Sequence, residues 1–154
     1  TGAHVCRWLG SGTGNLGGIM ALQYSVAVRN AQLDAFETAV GASAVLKIRT
    51  GAQPATCATA DSGTVLATLS LPSDWMAAAS SGSKALSGTW QDASADATGT
   101  AAHFRLYATD GTTCHAQGTV TATGGGGDMT LDNTSITSGQ SVTITSFTLT
   151  AGNA

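Results

Sequence analysis

The stretch that decides the fold class is residues 129–150, which read MTLDNTSITSGQSVTITSFTLT. Apolar residues alternate there with threonine and serine, and this period of two is typical of strands that bury one face. In the final strand of this stretch, four apolar residues divide between the two faces, Val142 and Ile144 on one, Phe147 and Leu149 on the other. A regular strand cannot bury all four on one side, so we expect a bulge or bend near residues 145–146. The alternative is a strand covered on both faces.

The composition is that of a folded chain with few charges. Its 154 residues fit one domain that is large enough for its own core. Hydrophobic residues make up 42 % of the chain and charged residues 10 %, against roughly 25 % charged in a typical soluble domain. So little charge is a colloidal liability unless neighbours cover the surface. The alternative is an alanine- and threonine-rich protein encoded by a GC-rich genome.

The charge balance argues against nucleic acid as a partner. The net charge is −3 and the isoelectric point is near 5.3. A nucleic-acid-binding surface needs clustered cations, and the six lysines and arginines are scattered along the chain. No apolar run approaches the length of a membrane span, so we expect no membrane partner either.

The three cysteines are Cys6, Cys57 and Cys114. An odd number without a C-x-x-C pair argues against a disulfide framework and against a zinc site. We therefore expect buried free thiols.

The first nineteen residues differ from the rest. Residues 1–19 are rich in glycine and lack the basic start and apolar stretch of a secretory signal. Met20 then opens a sequence that looks like a normal protein start. We expect residues 1–19 to be a flexible, non-native leader and residues 20–154 to form a single domain.

One amphipathic helix is predicted over residues 25–40. Ser25 is a suitable N-cap and Gly41 a suitable stop. The apolar stripe comprises Val26, Leu33, Phe36 and Val40. The residues expected on the solvent side, as candidate contacts, are Arg29, Asp34 and Glu37.

The remainder reads as short strands separated by turns. Before the final stretch, strands are predicted over residues 44–50, 64–71, 84–91, 102–108 and 112–121. There is no alternation of strands and helices and no internal repeat. The predicted fold is mainly β, an antiparallel β-sandwich or jelly-roll-like domain with one N-terminal amphipathic helix.

The clearest hairpin joins residues 102–108 to residues 112–121. A three-residue loop, residues 109–111, keeps the apolar side chains on one face and gives Gly111 the left-handed position of a bulged turn. The pairs that this loop predicts are Leu106 with Cys114 and Phe104 with Ala116.

The opposite face of this hairpin is polar and is a candidate protein-contact face. Its members are His103, Arg105, Tyr107, His115 and Gln117. Two histidines on one face suggest a metal site. The expected position of Arg105 opposite His115 opposes this, so a solvent- or partner-facing patch is preferred and no metal is expected.

Other motifs fail on their context. The G-x-G-x-x-G pattern at residues 12–17 follows no strand, and the S-x-x-K pattern at residues 81–84 lies in a turn. The aspartate pairs lack the spacing of a calcium loop; they are Asp92 with Asp96 and Asp128 with Asp132. We expect no catalytic residues and no cofactor. Trp75 and Trp90 are expected in the core, whereas exposure of both would favour sugar binding.

Several segments carry a family resemblance. They are MALQYS from Met20 with the helix that follows, LKIRTGAQPA at 46–55, LATLSL at 66–71, SADATGTAAHFRLY at 94–107, DGTT at 110–113, and the threonine- and serine-rich ending. Over residues 20–154 the chain resembles small structural proteins of tailed bacteriophages and prophages. The leader before Met20 departs from that resemblance.

The resemblance implies a virion protein without enzymatic activity, of the capsid decoration (cement) or head–tail accessory type. The implied partners are further copies of the chain, with a trimer favoured, and other virion proteins such as the major capsid protein. Its location would be the virion, assembled in the host cytoplasm. The alternatives are a carbohydrate-binding adhesin or receptor-binding module, and a hydrolase for which the sequence shows no credible site.

Overall fold

The computed structural model of the protein describes residues 22–152. In this part the chain is mainly β, with one helix followed by eleven short strands. The elements are α1 (Val26–Val40), β1 (Val45–Arg49), β2 (Val65–Ser70), β3 (Ser83–Ala85), β4 (Trp90–Asp92), β5 (Gly99–Thr100), β6 (His103–Tyr107), β7 (Cys114–Ala122), β8 (Met129–Leu131), β9 (Ser135–Ile136), β10 (Val142–Ile144) and β11 (Thr148–Thr150). The leader predicted for residues 1–19 and the G-x-G-x-x-G pattern lie outside the described residues.

Helix α1 is bounded by the caps that the sequence predicts. The backbone N–H of Val28 donates to the Ser25 hydroxyl at 3.3 Å, and Gly41 ends the helix at φ 88° with its N–H on the Glu37 carbonyl. That φ lies in the left-handed region, where glycine is favoured. Leu33 and Val40 are buried as expected, but Val26 is 48 % exposed, so the apolar stripe does not extend to the start of the helix.

Of the three residues expected on the solvent side of α1, Asp34 is exposed as predicted, whereas Arg29 and Glu37 are half-buried, and all three contact other parts of the protein. Lys84 on β3 is 2 % exposed, and its ammonium lies 2.7 Å from the Asp34 carboxylate and 2.8 Å from that of Glu37. The Arg29 guanidinium donates to the carbonyl of Ala151 at 3.2 Å. A buried lysine must be compensated by opposite charge, and the helix supplies it. These contacts hold α1 against β3 and against the segment that follows β11.

A curled sheet of five strands carries the fold, in the order β2-β1-β6-β7-β8. Its pairs are antiparallel except β7 with β8, which run parallel. Parallel neighbours usually need a crossover of a dozen or more residues, but here residues 123–128 suffice. A Cβ on Gly127 would lie 2.9 Å from the Thr121 side chain, so the glycine run makes this tight return possible. The expectation of a wholly antiparallel domain is wrong at this edge.

The hairpin of β6 and β7 has a different register from the predicted one. The observed partners are Leu106 with Ala116, Phe104 with Gly118 and Tyr107 with Cys114. The register shifts between Leu106 and Tyr107, which leaves His115 as the extra residue of a bulge. The predicted pairs are therefore wrong, and Cys114 lies opposite Tyr107, on the polar face.

The turn of this hairpin explains the shift. The Asp110 carboxylate accepts from the backbone N–H groups of Thr112 and Thr113 at 2.8 Å each. The N–H of Ala108 donates to the carbonyl of Thr113, so the loop is longer than three residues. Gly111 has φ 64°, the left-handed position that the sequence predicts.

Two of the predicted strands are each divided in two. The break predicted near residues 145–146 is confirmed, because β10 pairs with β4 whereas β11 pairs with β3. The strand predicted over residues 84–91 is divided in the same way, into β3 and β4. A further short pair joins β5 to β9.

The core lies on the apolar face of the five-stranded sheet. Trp75 and Trp90 are 0 % and 1 % exposed, and their rings pack 5.8 Å apart between centroids. Their indole N–H groups donate to backbone carbonyls, that of Trp75 to Gly41 at 2.9 Å. Phe147, from the break before β11, packs on Trp90 and Phe104. Within residues 22–152 no helix is long and apolar enough to cross a membrane.

Close packing between β6 and β7 gives a first prediction. A Cβ on Gly118 would lie 2.6 Å from the Phe104 ring and 2.9 Å from the Asp128 Cβ. We expect Gly118→Ala to lower the free energy of unfolding by about 1–3 kcal/mol, the usual cost of overpacking. Urea denaturation measures it. Gly152→Ala is the matched control, since its Cβ would meet nothing within 4 Å. Equal stability of the two variants would contradict this packing.

Candidate functional site

The face of the sheet opposite the core is lined with cations. Alternation along β1 and β6 brings Lys47 opposite Arg105 and Arg49 opposite His103. Arg49 is 6 % exposed and Arg105 is 1 % exposed. Like charges side by side on a buried surface are costly, so the chain must supply acceptors above this face.

Residues 51–63, between β1 and β2, supply them; we call this segment the covering loop. Its carbonyl oxygens accept hydrogen bonds from four side chains of the cationic face. The bonds run from Arg105 to Cys57 (2.8 Å) and Thr59 (3.2 Å), from Arg49 to Ser62 (3.0 Å), from Gln117 to Pro54 (2.6 Å), and between His103 Nδ1 and Gly51 (2.9 Å). Hydrogen bonds to charged groups are among the strongest in proteins, so the loop is held by the side chains that it covers.

Asp61 is the anion of this arrangement. One carboxylate oxygen accepts from Arg49 at 2.6 Å, and the other accepts from Arg105 and, at 2.8 Å, from the Tyr107 hydroxyl. Burial opposes the charge of Asp61, but the Tyr107 hydrogen bond and the two guanidinium charges outweigh it and lower its pKa. The carboxylate is therefore ionised and joins both arginines to the loop.

The neighbours of Asp61 keep fixed protonation states. Burial, followed by the hydrogen bond to Asp61, raises the pKa of Tyr107 to about 12, so its hydroxyl stays a donor. Burial disfavours the charge of Arg105, yet Cys114, Tyr107 and Asp61 together raise its pKa. Lys47 extends the arrangement, because its ammonium lies 4.9 Å from the centre of the Tyr107 ring and donates to the Gly111 carbonyl at 2.8 Å.

His103 is buried and neutral. Burial lowers its pKa, and the charges of Arg49 and Arg105 lower it further, against the effect of its bond to Gly51. Since a carbonyl only accepts, Nδ1 carries the proton. Its Nε2 has no hydrogen-bond partner among the described residues. No group of three or more histidine, cysteine, aspartate or glutamate side chains that could hold a metal occurs within residues 22–152.

The predicted contact face is thus largely internal. His103, Arg105 and Tyr107 are buried and Gln117 is half-buried, so the expectation that they face solvent is wrong. The expected position of Arg105 opposite His115 is also wrong, because its partner is Gln117. His115 alone of the five is exposed, at the bulge. Whether a protein binds there stays a prediction.

The polar motifs are also used within the fold. Lys84 of the S-x-x-K pattern is paired with Asp34 and Glu37. Two of the aspartates weighed for calcium, Asp92 and Asp96, accept from the backbone N–H and the hydroxyl of Thr68, at 2.8 and 2.7 Å. The Asp128 carboxylate accepts from Thr119 in the same two ways.

Exposed apolar and hydroxyl side chains form the outer surface. Three large apolar residues are exposed at the start of the described chain; they are Leu22, Val26 and Val28. In residues 129–152, threonine and serine occupy most exposed positions and Asp132 is the one charged residue.

No family model, curated protein or solved structure matches this chain.

A second prediction concerns Asp61. We expect Asp61→Asn to lower the free energy of unfolding by about 2 kcal/mol at neutral pH, because two buried guanidiniums lose their anion but keep carbonyl acceptors. Urea denaturation is the measurement. Asp74→Asn, at an exposed aspartate, removes the same charge and should change little. A loss of similar size in both variants would contradict the role of Asp61.

A third prediction follows from the lowered pKa of Asp61. A carboxyl whose pKa is lower in the folded state contributes stability above its unfolded pKa, and the contribution disappears as pH falls through the folded value. The gap in stability between the native chain and Asp61→Asn should therefore be full above about pH 5 and shrink below about pH 4. Urea midpoints across this range measure it. A gap that stays constant down to about pH 2 would contradict the assignment.

Proposed function

We propose that the protein is a structural protein of a tailed-bacteriophage virion, of the capsid decoration or head–tail accessory type, without enzymatic activity. The observation that carries the proposal is the outer surface of β8–β11, where exposed threonine and serine side chains stand almost without charge. Such a surface suits permanent contact with other protein, because few charges must be desolvated. The resemblance of residues 20–154 to phage structural proteins supports the same assignment.

The covering loop gives a second argument for this proposal. The sheet cations that would attract nucleic acid or another anionic partner are already paired with Asp61 and with loop carbonyls. On β8–β11, what remains for a partner is a hydroxyl-rich surface with one charged residue, Asp132. We propose that the partners are further copies of this chain and a virion protein such as the major capsid protein, in particles assembled in the bacterial cytoplasm.

We also propose that the strands form a sandwich-like arrangement. The five-stranded sheet would be one layer, and the three short pairs with α1 would be the second. The burial of Trp75 and Trp90 on the apolar face of the sheet supports this arrangement. The adhesin alternative requires an exposed aromatic cleft, and the burial of Trp75 and Trp90 removes both rings as members of one.

The assignment is tested on purified particles from a bacterium that carries the gene. After prophage induction and density-gradient purification, mass spectrometry should find the protein in intact particles at a constant ratio to the major capsid protein. Mild denaturant that releases it without releasing DNA would indicate the decoration type. Its absence from particles, with the protein remaining in the soluble cell fraction, would contradict the proposal.

A fourth prediction addresses self-association. We propose a closed homo-oligomer, with a trimer favoured, in which the exposed valines at the start of α1 are covered. Val26→Asp with Val28→Asp should give a monomer by light scattering coupled to size exclusion. An acidic residue suits the first turn of a helix, so α1 itself should persist.

Gln32→Asp is the matched control, because it adds charge at another exposed position of α1 and should leave the mass unchanged. A native chain that is already monomeric, or a double variant that keeps the native mass, would contradict the proposed contact.

A further inference from the structure

Two of the cysteines meet beneath the covering loop. Cys57 belongs to that loop and Cys114 begins β7, and both are half-buried free thiols. The Cys57 side chain is one of the neighbours that raise the pKa of the Cys114 thiol, after burial. The bulge at His115 is what brings Cys114 to this face, because it places Cys114 opposite Tyr107.

One buried guanidinium holds both cysteines. Arg105 donates to the backbone carbonyl of Cys57 at 2.8 Å and, through Nε, to the Cys114 sulfur at 3.3 Å. Arg105 is itself 1 % exposed and is fixed by Asp61. Three elements of the fold therefore converge on the thiol pair, and its geometry does not depend on a single loop contact.

We propose that Cys57 and Cys114 form a modification site, a dithiol that becomes an intramolecular disulfide by exchange with a low-molecular-weight disulfide such as glutathione disulfide. The bond ties the covering loop covalently to β7. It does not depend on the proposed virion function, since it needs only this chain and the reagent.

The exchange proceeds in two balanced steps. The Cys57 thiolate attacks one sulfur of glutathione disulfide, forming a mixed disulfide and releasing one glutathione. Cys114 loses its proton to solvent and attacks the Cys57 sulfur, which forms the protein disulfide and releases the second glutathione. Both cysteines are oxidised and one glutathione disulfide is reduced to two thiols.

The order of attack follows from the surroundings of Cys114. Burial, together with the contact to Cys57, raises its pKa to about 11 against the opposing effect of Arg105. Its thiolate is therefore scarce at neutral pH, and the first attack falls to Cys57. The Arg105 Nε–H, already on the Cys114 sulfur, stabilises the thiolate that the second step requires.

The test uses the full chain with Cys6→Ser, because Cys6 is a competing thiol outside the described residues. After incubation with glutathione disulfide and removal of reagent, the free-thiol count should fall from two per chain to none. The intact mass should fall by two hydrogens, and peptide mapping without reduction should join Cys57 to Cys114. Cys57→Ser and Cys114→Ser, each with Cys6→Ser, should form no such bond.

Thermal unfolding tests whether the disulfide stabilises the fold by tying the covering loop to β7. The bond closes a long stretch of chain, so the oxidised protein should melt on the order of 10 °C above the reduced one, while the single-thiol variants should show no comparable rise. A stable mixed disulfide with glutathione, a bond only between two chains, or pairing of either thiol with Cys6 in the native chain would overturn the site. A Cys57–Cys114 bond that leaves the melting temperature unchanged would show that the bond does not tie the covering loop to β7 in the way proposed.

Discussion

The ion pairs of Asp61 with Arg49 and Arg105 are the constraint on which the arrangement of the sheet depends. Two guanidiniums are buried on the face opposite the core, and a buried charge is tolerated only when it is paired and hydrogen-bonded. The covering loop supplies the anion and the carbonyl acceptors together. The path between β1 and β2, the fixed hydroxyl of Tyr107 and the approach of Cys57 to Cys114 all follow from this requirement.

This internal use of charge determines what the protein shows to its surroundings. A second set of charges is used in the same way where Lys84 holds α1 through Asp34 and Glu37. With these cations committed to the fold, the outer surface of β8–β11 is dominated by threonine and serine, and apolar residues are exposed at the start of α1. A surface that is poor in charge costs little to desolvate, which is the property that a component of a permanent assembly needs. The proposed virion function rests on the outer surface of β8–β11, where Asp132 is the one charged residue.

The sequence predicted the parts of the fold that depend on residues close together in the chain. The caps of α1 and the break between β10 and β11 could be found from residue type and parity alone. The hairpin register could not, because it depends on the Asp110 carboxylate capping its own turn. Nor could the burial of His103, Arg105 and Tyr107 be predicted, since most acceptors are backbone carbonyls of a loop without a pattern. The available signal for Asp61 was its position in the loop after β1, the strand that carries Lys47 and Arg49.

The measurement that tests this account most directly is NMR of the arginine side chains in the full chain. If the covering loop closes over the sheet as described, the guanidinium N–H groups of Arg105 should give separate signals that exchange slowly with water, because several of them are buried and hydrogen-bonded. Exposed arginines give averaged signals that exchange quickly. Averaged, rapidly exchanging signals from Arg105 would mean that the cationic face is open to solvent, and they would contradict the pairing of the sheet cations with Asp61 and the covering loop.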